Sequence, residues 1–344
     1  MKFKQAITEF VPKIEAEMQR YLTPSTGATD PFWGMMLYHL GWRDSRLQPA
    51  QAPAGKRLRP VFTMLACQAE NGDPIAALPA AAAVELVHNF TLIHDDIQDN
   101  SDTRRGRPTV WKIWGVPQAI NAGDAMFTLA RNALLHLRKG GIPAETVLDA
   151  TACLDRTLLK LCRGQYLDMS FEETMSVRQE TYLEMIAGKT AALLACSGYL
   201  GALIATESPE AAERYWQFGH ALGMAFQMQD DILGIWGDAD MVGKPIGDDL
   251  RQHKKTMPVV FALNRAETDD TRRFREIYRQ PQLTDAMIAE SVSLLEKIGA
   301  KAHTDAAAER YTRQAQRLLN SIGVNREAKE ALQDMLAFLL ARTY

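Results

Sequence analysis

The chain has 344 residues, enough to bury a large core, and its 39 basic side chains nearly balance 42 acidic ones. Balance of that kind argues against a nucleic-acid binder, which would carry a basic excess. Its four cysteines, Cys67, Cys153, Cys162 and Cys196, lack metal-type spacing and read as buried small hydrophobes in a reducing compartment. Apolar residues recur with a helical period almost throughout. Helices are expected near 3–22, 57–71, 76–101, 117–138, 144–169, 176–204, 208–236, 255–265, 283–300, 303–321 and 325–341, with no β-strand series. Asn71-Gly72-Asp73-Pro74, Gly140-Gly141-Ile142-Pro143 and Glu207-Ser208-Pro209 mark turns, and Ser208 and Thr284 are candidate N-caps. Segment 23–54, with Phe32, Trp33 and Trp42, reads as an ordered excursion between helices. No linker divides the chain, so one all-α domain is expected over 1–344. No apolar run reaches the roughly 18 residues of a membrane span, and the opening MKFKQAITEFVPKIEAEMQ is an amphipathic helix rather than a secretory signal. A cytoplasmic location is the expectation.

Two acidic clusters stand out, each on an otherwise apolar helical stretch: DDIQD, from Asp95 to Asp99, and DDILG, from Asp230 to Gly234. Carboxylates there are costly to desolvate unless cations compensate them. Asp95 and Asp99, four residues apart, share a helical face, with His88 about two turns deeper on the same stripe and Asp96 pointing elsewhere. Gln227 shares a face with Asp230 and Asp231, and Gly219 and Gly223, one turn apart, permit close helix approach just before them. Oxygen-only ligands favour Mg²⁺ or Mn²⁺, and Mg²⁺ commonly completes its shell with substrate phosphates. One Asp pair alone would be an ordinary solvated helix end. The second copy and the surrounding cations make that reading inadequate. Those cations are Lys56, Arg57 and Arg59 in GKRLRP, Arg104 and Arg105 in RRGRPT, Lys189 in GKT, and Lys244, Lys254 and Lys255 in GKPIGDDLRQHKKT. Carboxylates for metals alternating with cations for phosphates imply two diphosphates.

From about Gly55 to Thr256 the ordered motifs GKRLRP, DDIQD, RRGRPT, GDAMF, GQYLD, GKT, FGHALGMAFQMQDD and GKPIGDDLRQHKKT resemble the trans-isoprenyl diphosphate synthases of the polyprenyl synthetase family. The resemblance implies an all-α bundle around a deep central cavity, a homodimer, and three Mg²⁺ ions. The implied reaction condenses isopentenyl diphosphate with an allylic diphosphate. It further implies that Asp95 and Asp99 bind two metals and Asp230 the third. Arg104, Lys189, Lys244 and Lys254 are implied to bind the allylic diphosphate, supported by Asp168, Thr190 and Gln227. Lys56, Arg59, His88 and Arg105 are implied to hold isopentenyl diphosphate. Asp95, Asp99, Asp230, Lys189 and Gln227 would form the catalytic set, while Arg57 and Lys255 either face solvent or support neighbours. Ionisation of the allylic C–O bond, attack by the isopentenyl double bond and proton loss give a longer all-trans chain.

Product length in such enzymes is set below the first cluster. Phe90 lies about 7.5 Å down the helix axis from Asp95. With Thr91 non-aromatic, one bulky ring resembles the floor of a geranylgeranyl diphosphate synthase, and a twenty-carbon product is favoured over farnesyl or longer chains. The first cluster also lacks the two-residue insertion of many bacterial short-chain synthases. Gly234 replaces the third Asp frequent in farnesyl synthases, and the ending LLARTY lacks the basic tail of some of them. A terpene cyclase would not need the Lys56, Arg59, His88 and Arg105 set, and a non-catalytic synthase subunit would tend to lose acidic-cluster residues.

Overall fold

The structure is a computed structural model that describes residues 2–23, 30–172, 174–237 and 246–341. These fall into two compact units. The first comprises Met1–Leu154, Cys196–Tyr215 and Ile322–Leu332, and the second Asp155–Ala195, Trp216–Ser321 and Gln333–Tyr344.

The first unit is organised around α4, Leu78–Gln98, which packs most extensively on α6, Val116–His136, and also on α3, Leu58–Ala69, and α1, Phe3–Leu22. Ala80, Ala81, Ala82 and Ala83 of α4 are fully buried, and their small side chains let the neighbouring helices close in. The excursion contains a helix that periodicity did not reveal, α2, Pro31–His39, started by Asp30, whose carboxylate accepts from the Phe32 N–H. Between α4 and the short α5, Val110–Trp114, lies a two-residue hairpin, β1 (Thr103–Arg104) and β2 (Arg107–Pro108), an addition that leaves the fold all-α as expected. Its turn residues Arg105 and Gly106 both have positive φ, +54° and +73°, the type I′ pattern that matches strand twist.

Helix α7, Ala144–Glu172, begins in the first unit and continues in the second, and it is followed by the segment 179–206, where one helix was expected over 176–204. That segment is α8 (Gln179–Ile186) and α9 (Ala192–Thr206) joined without a break by a π-turn, Ala187–Ala191. Then follow α10 (Pro209–Trp236), α11 (Asp248–Arg251), α12 (Met257–Asn264), α13 (Asp269–Tyr278), α14 (Asp285–Lys297), α15 (Ala300–Asn320) and α16 (Arg326–Ala341). Helix α13 escaped the sequence reading because DDTRRFREIY is mostly charged. Its buried Thr271, Phe274, Ile277 and Tyr278 still form a helical stripe. Ser208 and Thr284 do cap their helices, accepting from the N–H groups of Ala211 and Met287.

Two expectations are corrected. Cys162 is exposed while Cys67, Cys153 and Cys196 are buried, and all four are free thiols. Two stretches, Pro74–Gln98 and Gln179–Thr206, are long and apolar enough to cross a membrane, although scattered polar residues interrupt every continuous run. Their most apolar windows are 56% and 83% buried within the protein.

Candidate active site

Three carboxylates crowd the C-terminal end of α4. Asp99 is the C-cap, and its N–H donates to the Asp95 carbonyl at 2.8 Å, which stacks Asp99 one turn above Asp95. The last turn of α4 contains no basic residue. Negative side chains at the negative end of a helix dipole are unfavourable and call for a cation. Asp96 turns inward as expected. It is 2% exposed and accepts from Arg104 Nε at 2.7 Å. Burial pushes its carboxyl pKa up, opposed by the Arg104 charge.

Behind this edge lies a group of cations. Arg57 takes the left-handed conformation, φ +51°, as it enters α3, which turns its side chain inward. Its Nη1 donates to Glu85 Oε1 at 2.6 Å and its Nε to Glu15 Oε1 at 3.4 Å, so of the two roles open to Arg57 it has the supporting one. Asn89 Nδ2 also donates to Glu85 Oε1, at 2.9 Å. Burial, and then the charges of Arg59, Arg105, Arg57 and Arg104, hold the His88 imidazole well below its usual range, so it stays neutral. Arg57 Nη2, Arg59 Nε and Arg105 Nη1 are buried donors without a hydrogen-bond partner. Buried donors are rarely left so. Several of them act on one neutral imidazole, a set that an anion would suit, and Lys56 next to them in sequence is exposed.

Phe90 points away from this stripe. Its ring meets Phe127 of α6 and His94 edge-on, each at 5.7 Å between centroids. Phe127, in GDAMF, is thus packed against the ring expected to form the floor, a contact that the sequence reading missed because it considered only α4. Thr91 is half-buried, its hydroxyl donating to the His88 carbonyl.

In the second unit two glycines assemble the chemistry. Gly164 of GQYLD and Gly188 of GKT abut, with a Cβ at Gly164 falling 2.9 Å from the Gly188 carbonyl carbon. That approach brings Lys189 Nζ within 2.5 Å of Asp168 Oδ2. The π-turn carries Lys189 and Thr190, and a widened turn of this kind redirects side chains at functional positions. Thr190 Oγ1 donates to Gln227 Oε1 at 2.7 Å. The Gln227 amide in turn donates to Asp231 Oδ1 at 3.1 Å and Asp230 Oδ2 at 3.5 Å. Gly219 and Gly223 lie against Ala195 and Ala191, the close approach expected of them.

Asp230 is half-buried, whereas Asp231 is 3% exposed and accepts from the Tyr182 hydroxyl and, at 2.8 Å, from the Met257 N–H. Burial raises its pKa to about 7 against those hydrogen bonds. Asp231 therefore braces the cluster, and Tyr182 and Met257 are supports that no motif in the sequence signalled. Gly234 also has a local reason, since a Cβ there would collide with the Asp249 carboxylate, whose Oδ1 lies 3.6 Å from Lys254 Nζ. Lys254 is exposed, Lys255 is buried with its ammonium 5.0 Å from the Tyr278 ring, and Lys244 lies outside the described residues. Among the described residues no three carboxylate, imidazole or thiol side chains form a ready-made metal cage. The donors present, carboxylate oxygens with phosphate-binding cations nearby, suit a hard divalent ion whose shell the substrate completes.

Residues 44–295 match the polyprenyl synthetase family. Over 275 residues the chain is 42% identical to a geranylgeranyl diphosphate synthase of Mycobacterium tuberculosis, covering 80% of this chain and 77% of that one. It is 37% identical over 308 residues to a (2E,6E)-farnesyl diphosphate synthase of the same organism, covering 89% and 84%. The crystal structure of a polyprenyl synthetase from Streptomyces coelicolor superposes with a TM-score of 0.88 at 34% identity, covering 98% of each chain. The chain belongs to the polyprenyl synthetase family. It is an all-α prenyltransferase of the trans-isoprenyl type, a synthase of short-chain prenyl diphosphates.

Proposed function

We propose that the enzyme adds isopentenyl diphosphate to an allylic diphosphate with Mg²⁺ and releases geranylgeranyl diphosphate, working as a cytoplasmic homodimer. The observation that carries this reading is the set of partnerless buried guanidinium donors around a neutral His88, since a cyclase has no use for a second diphosphate site. Lys56, Arg59, His88 and Arg105 hold isopentenyl diphosphate, and Arg104, Lys189, Lys244 and Lys254 hold the allylic diphosphate. Asp95, Asp99 and Asp230 would hold the Mg²⁺ ions, which when bound neutralise the departing diphosphate. Lys189, held by Asp168, would offer its positive charge to that diphosphate. Thr190 fixes the Gln227 amide beside Asp230 so that the carboxylate keeps one orientation. Phe90, next to the non-aromatic Thr91 and backed by Phe127, supports a floor compatible with twenty carbons. Exposed Ile120 and Leu135 on α6, and Leu148, Leu159, Tyr166 and Met169 on α7, support burial against a second copy.

The test incubates purified protein with isopentenyl diphosphate and a series of allylic primers, with Mg²⁺ or with excess chelator, and identifies products by mass. Twenty-carbon prenyl diphosphate that disappears on chelation supports the proposal. Hydrocarbon made from the allylic substrate alone, or no turnover with any primer, sinks it.

A further inference from the structure

The excursion before GKRLRP ends up against the hairpin of RRGRPT. Arg107, the third arginine of that motif, reaches back from β2. Its Nη1 donates to the Tyr38 carbonyl at 2.9 Å and its Nη2 to the Arg43 carbonyl at 2.7 Å. The guanidinium also lies 3.9 Å from the centroid of the Tyr38 ring. The Tyr38 hydroxyl returns the contact by donating to the Pro108 carbonyl at 2.7 Å. Arg107 thus closes the C-terminal end of α2, where carbonyls lack helical partners and the dipole favours a cation.

The acceptors it uses are held firmly. Gly41 N–H donates to Tyr38 O, and Ala52 N–H and Ala50 N–H donate to Gly41 O and Trp42 O, closing the loop after α2. Asp44 Oδ1 accepts from the N–H groups of Arg46 and Gln48, both at 2.9 Å. The same excursion then arrives at Gly55, in a φ of +87°, where a Cβ would lie 2.9 Å from Arg105 Nη2. The hairpin is therefore gripped on the β2 side by Arg107, while Gly55 seats the guanidinium of Arg105 at its tip.

The two arginines ahead of Gly106 are not equally secured without this grip. Arg104 has its own anchor in the buried Asp96. Arg105 sits at the turn with φ +54° and a buried Nη1 lacking a hydrogen-bond partner, so its position depends on the backbone that carries it. Register pairs Arg104 directly with Arg107, which places the grip next to the turn.

We infer that Tyr38 and Arg107 are positioning residues that dock segment 31–55 on the hairpin and thereby set the affinity for isopentenyl diphosphate through Arg105. The inference rests on the reading of Arg105 as a ligand of that diphosphate. On this reading the excursion is the outer wall against which the diphosphate-binding turn is fixed.

Steady-state kinetics on Arg105→Gln, Arg107→Gln, Arg107→Lys, Tyr38→Phe and the Arg105→Gln/Arg107→Gln double variant test it, with melting temperatures as a check on folding. Arg107→Gln is expected to raise KM for isopentenyl diphosphate about tenfold while KM for the allylic primer and kcat stay within about threefold, the split expected when only binding of one substrate suffers. Arg107→Lys, which keeps the charge over Tyr38, should recover part of that loss. Tyr38→Phe should raise the same KM by about threefold, the worth of one hydrogen bond. The double variant should be no worse than Arg105→Gln, since Arg107 acts through Arg105. An Arg107→Gln effect that multiplies on the Arg105→Gln background, or one that falls on kcat with both KM values unchanged, overturns the positioning role. If Arg105→Gln itself leaves KM for isopentenyl diphosphate unchanged, the underlying assignment of Arg105 fails and the inference falls with it.

Discussion

Gly234 is where this chain's second acidic cluster departs from DDxxD, and the structure turns that departure into a measurable constraint. A Cβ on Gly234 would overlap the Asp249 carboxylate, contacting its Cγ as well as its oxygens, so rotation of the carboxylate alone does not clear it. Asp249 cannot easily withdraw. It is 8% exposed, the Lys254 N–H donates to its carbonyl, and its carboxylate faces Lys254 Nζ. Gly234→Ala gains about 1 kcal/mol of helix propensity and loses roughly 1–3 kcal/mol to overpacking, so a small net destabilisation is expected. Gly234→Asp, which restores DDxxD, adds a second carboxylate about 4–8 Å from Asp249. At an effective dielectric near 20 that repulsion is roughly 2–4 kcal/mol, partly offset by Lys254. Equilibrium unfolding in urea should rank the wild type above Gly234→Ala and that above Gly234→Asp. Because Lys254 is drawn toward the new charge, KM for the allylic primer should rise in Gly234→Asp. Removing the obstruction, in Gly234→Asp/Asp249→Gly, should recover most of the stability. If Gly234→Asp is as stable as the wild type, or the double change recovers nothing, Asp249 does not occupy the space that a side chain at position 234 needs, and the argument is wrong.

Phe90→Ala should shift products to longer chains by at least one isoprene unit, and Phe127→Ala should do the same because the two rings share one contact; unchanged lengths on chromatography would remove both from the floor. Arg57→Leu should destabilise the protein by about 3–5 kcal/mol by stranding the buried Glu85, while Arg57→Leu/Glu85→Leu should recover most of it, as read by denaturant unfolding. Thr190→Val removes the donor that orients Gln227 and should lower kcat/KM by about 3–10-fold with little change in melting temperature.

The acidic clusters, the arginine groups and most long helices were legible because they are periodic or local in sequence. Asp95 and Asp99 had to share a face once α4 was a helix, and Asp96 had to point elsewhere. What the sequence hid depends on partners far along the chain. Arg107 drew no notice in the sequence, and only the Tyr38 and Arg43 carbonyls give it a role. Asp231 was given no role beside Asp230 in the sequence, and its contacts with Tyr182 and the Met257 N–H supply one. The π-turn at Gly188 leaves no trace in periodicity, because one extra residue in a turn shifts the apolar stripe less than natural scatter does. Phe127 was missed for a different reason: only the helix carrying Phe90 was considered, and its ring meets one from another helix.

On the proposed reading, the charges around His88 explain why isopentenyl diphosphate binds there. Glu85 neutralises Arg57, and Asp96 neutralises Arg104. Among the described residues neither Arg59 nor Arg105 has a salt-bridge partner of that kind, and burial lowers the pKa of both guanidinium groups without approaching the point of deprotonation. His88 relieves the crowding by remaining neutral. A substrate bearing several negative charges at one end therefore gains most where the protein has left its own cations uncompensated, while the carboxylates at the end of α4 repel it unless metal ions intervene. On the proposed reading, two kinds of diphosphate contact follow from that contrast. One is direct, through arginines at the turn and at the entry to α3. The other is workable only in the presence of divalent ions, beside Asp95 and Asp99. Binding of isopentenyl diphosphate, measured by calorimetry, should accordingly depend far less on Mg²⁺ than binding of an unreactive allylic diphosphate analogue. Equal dependence would contradict the division of labour assigned to the two sets of side chains.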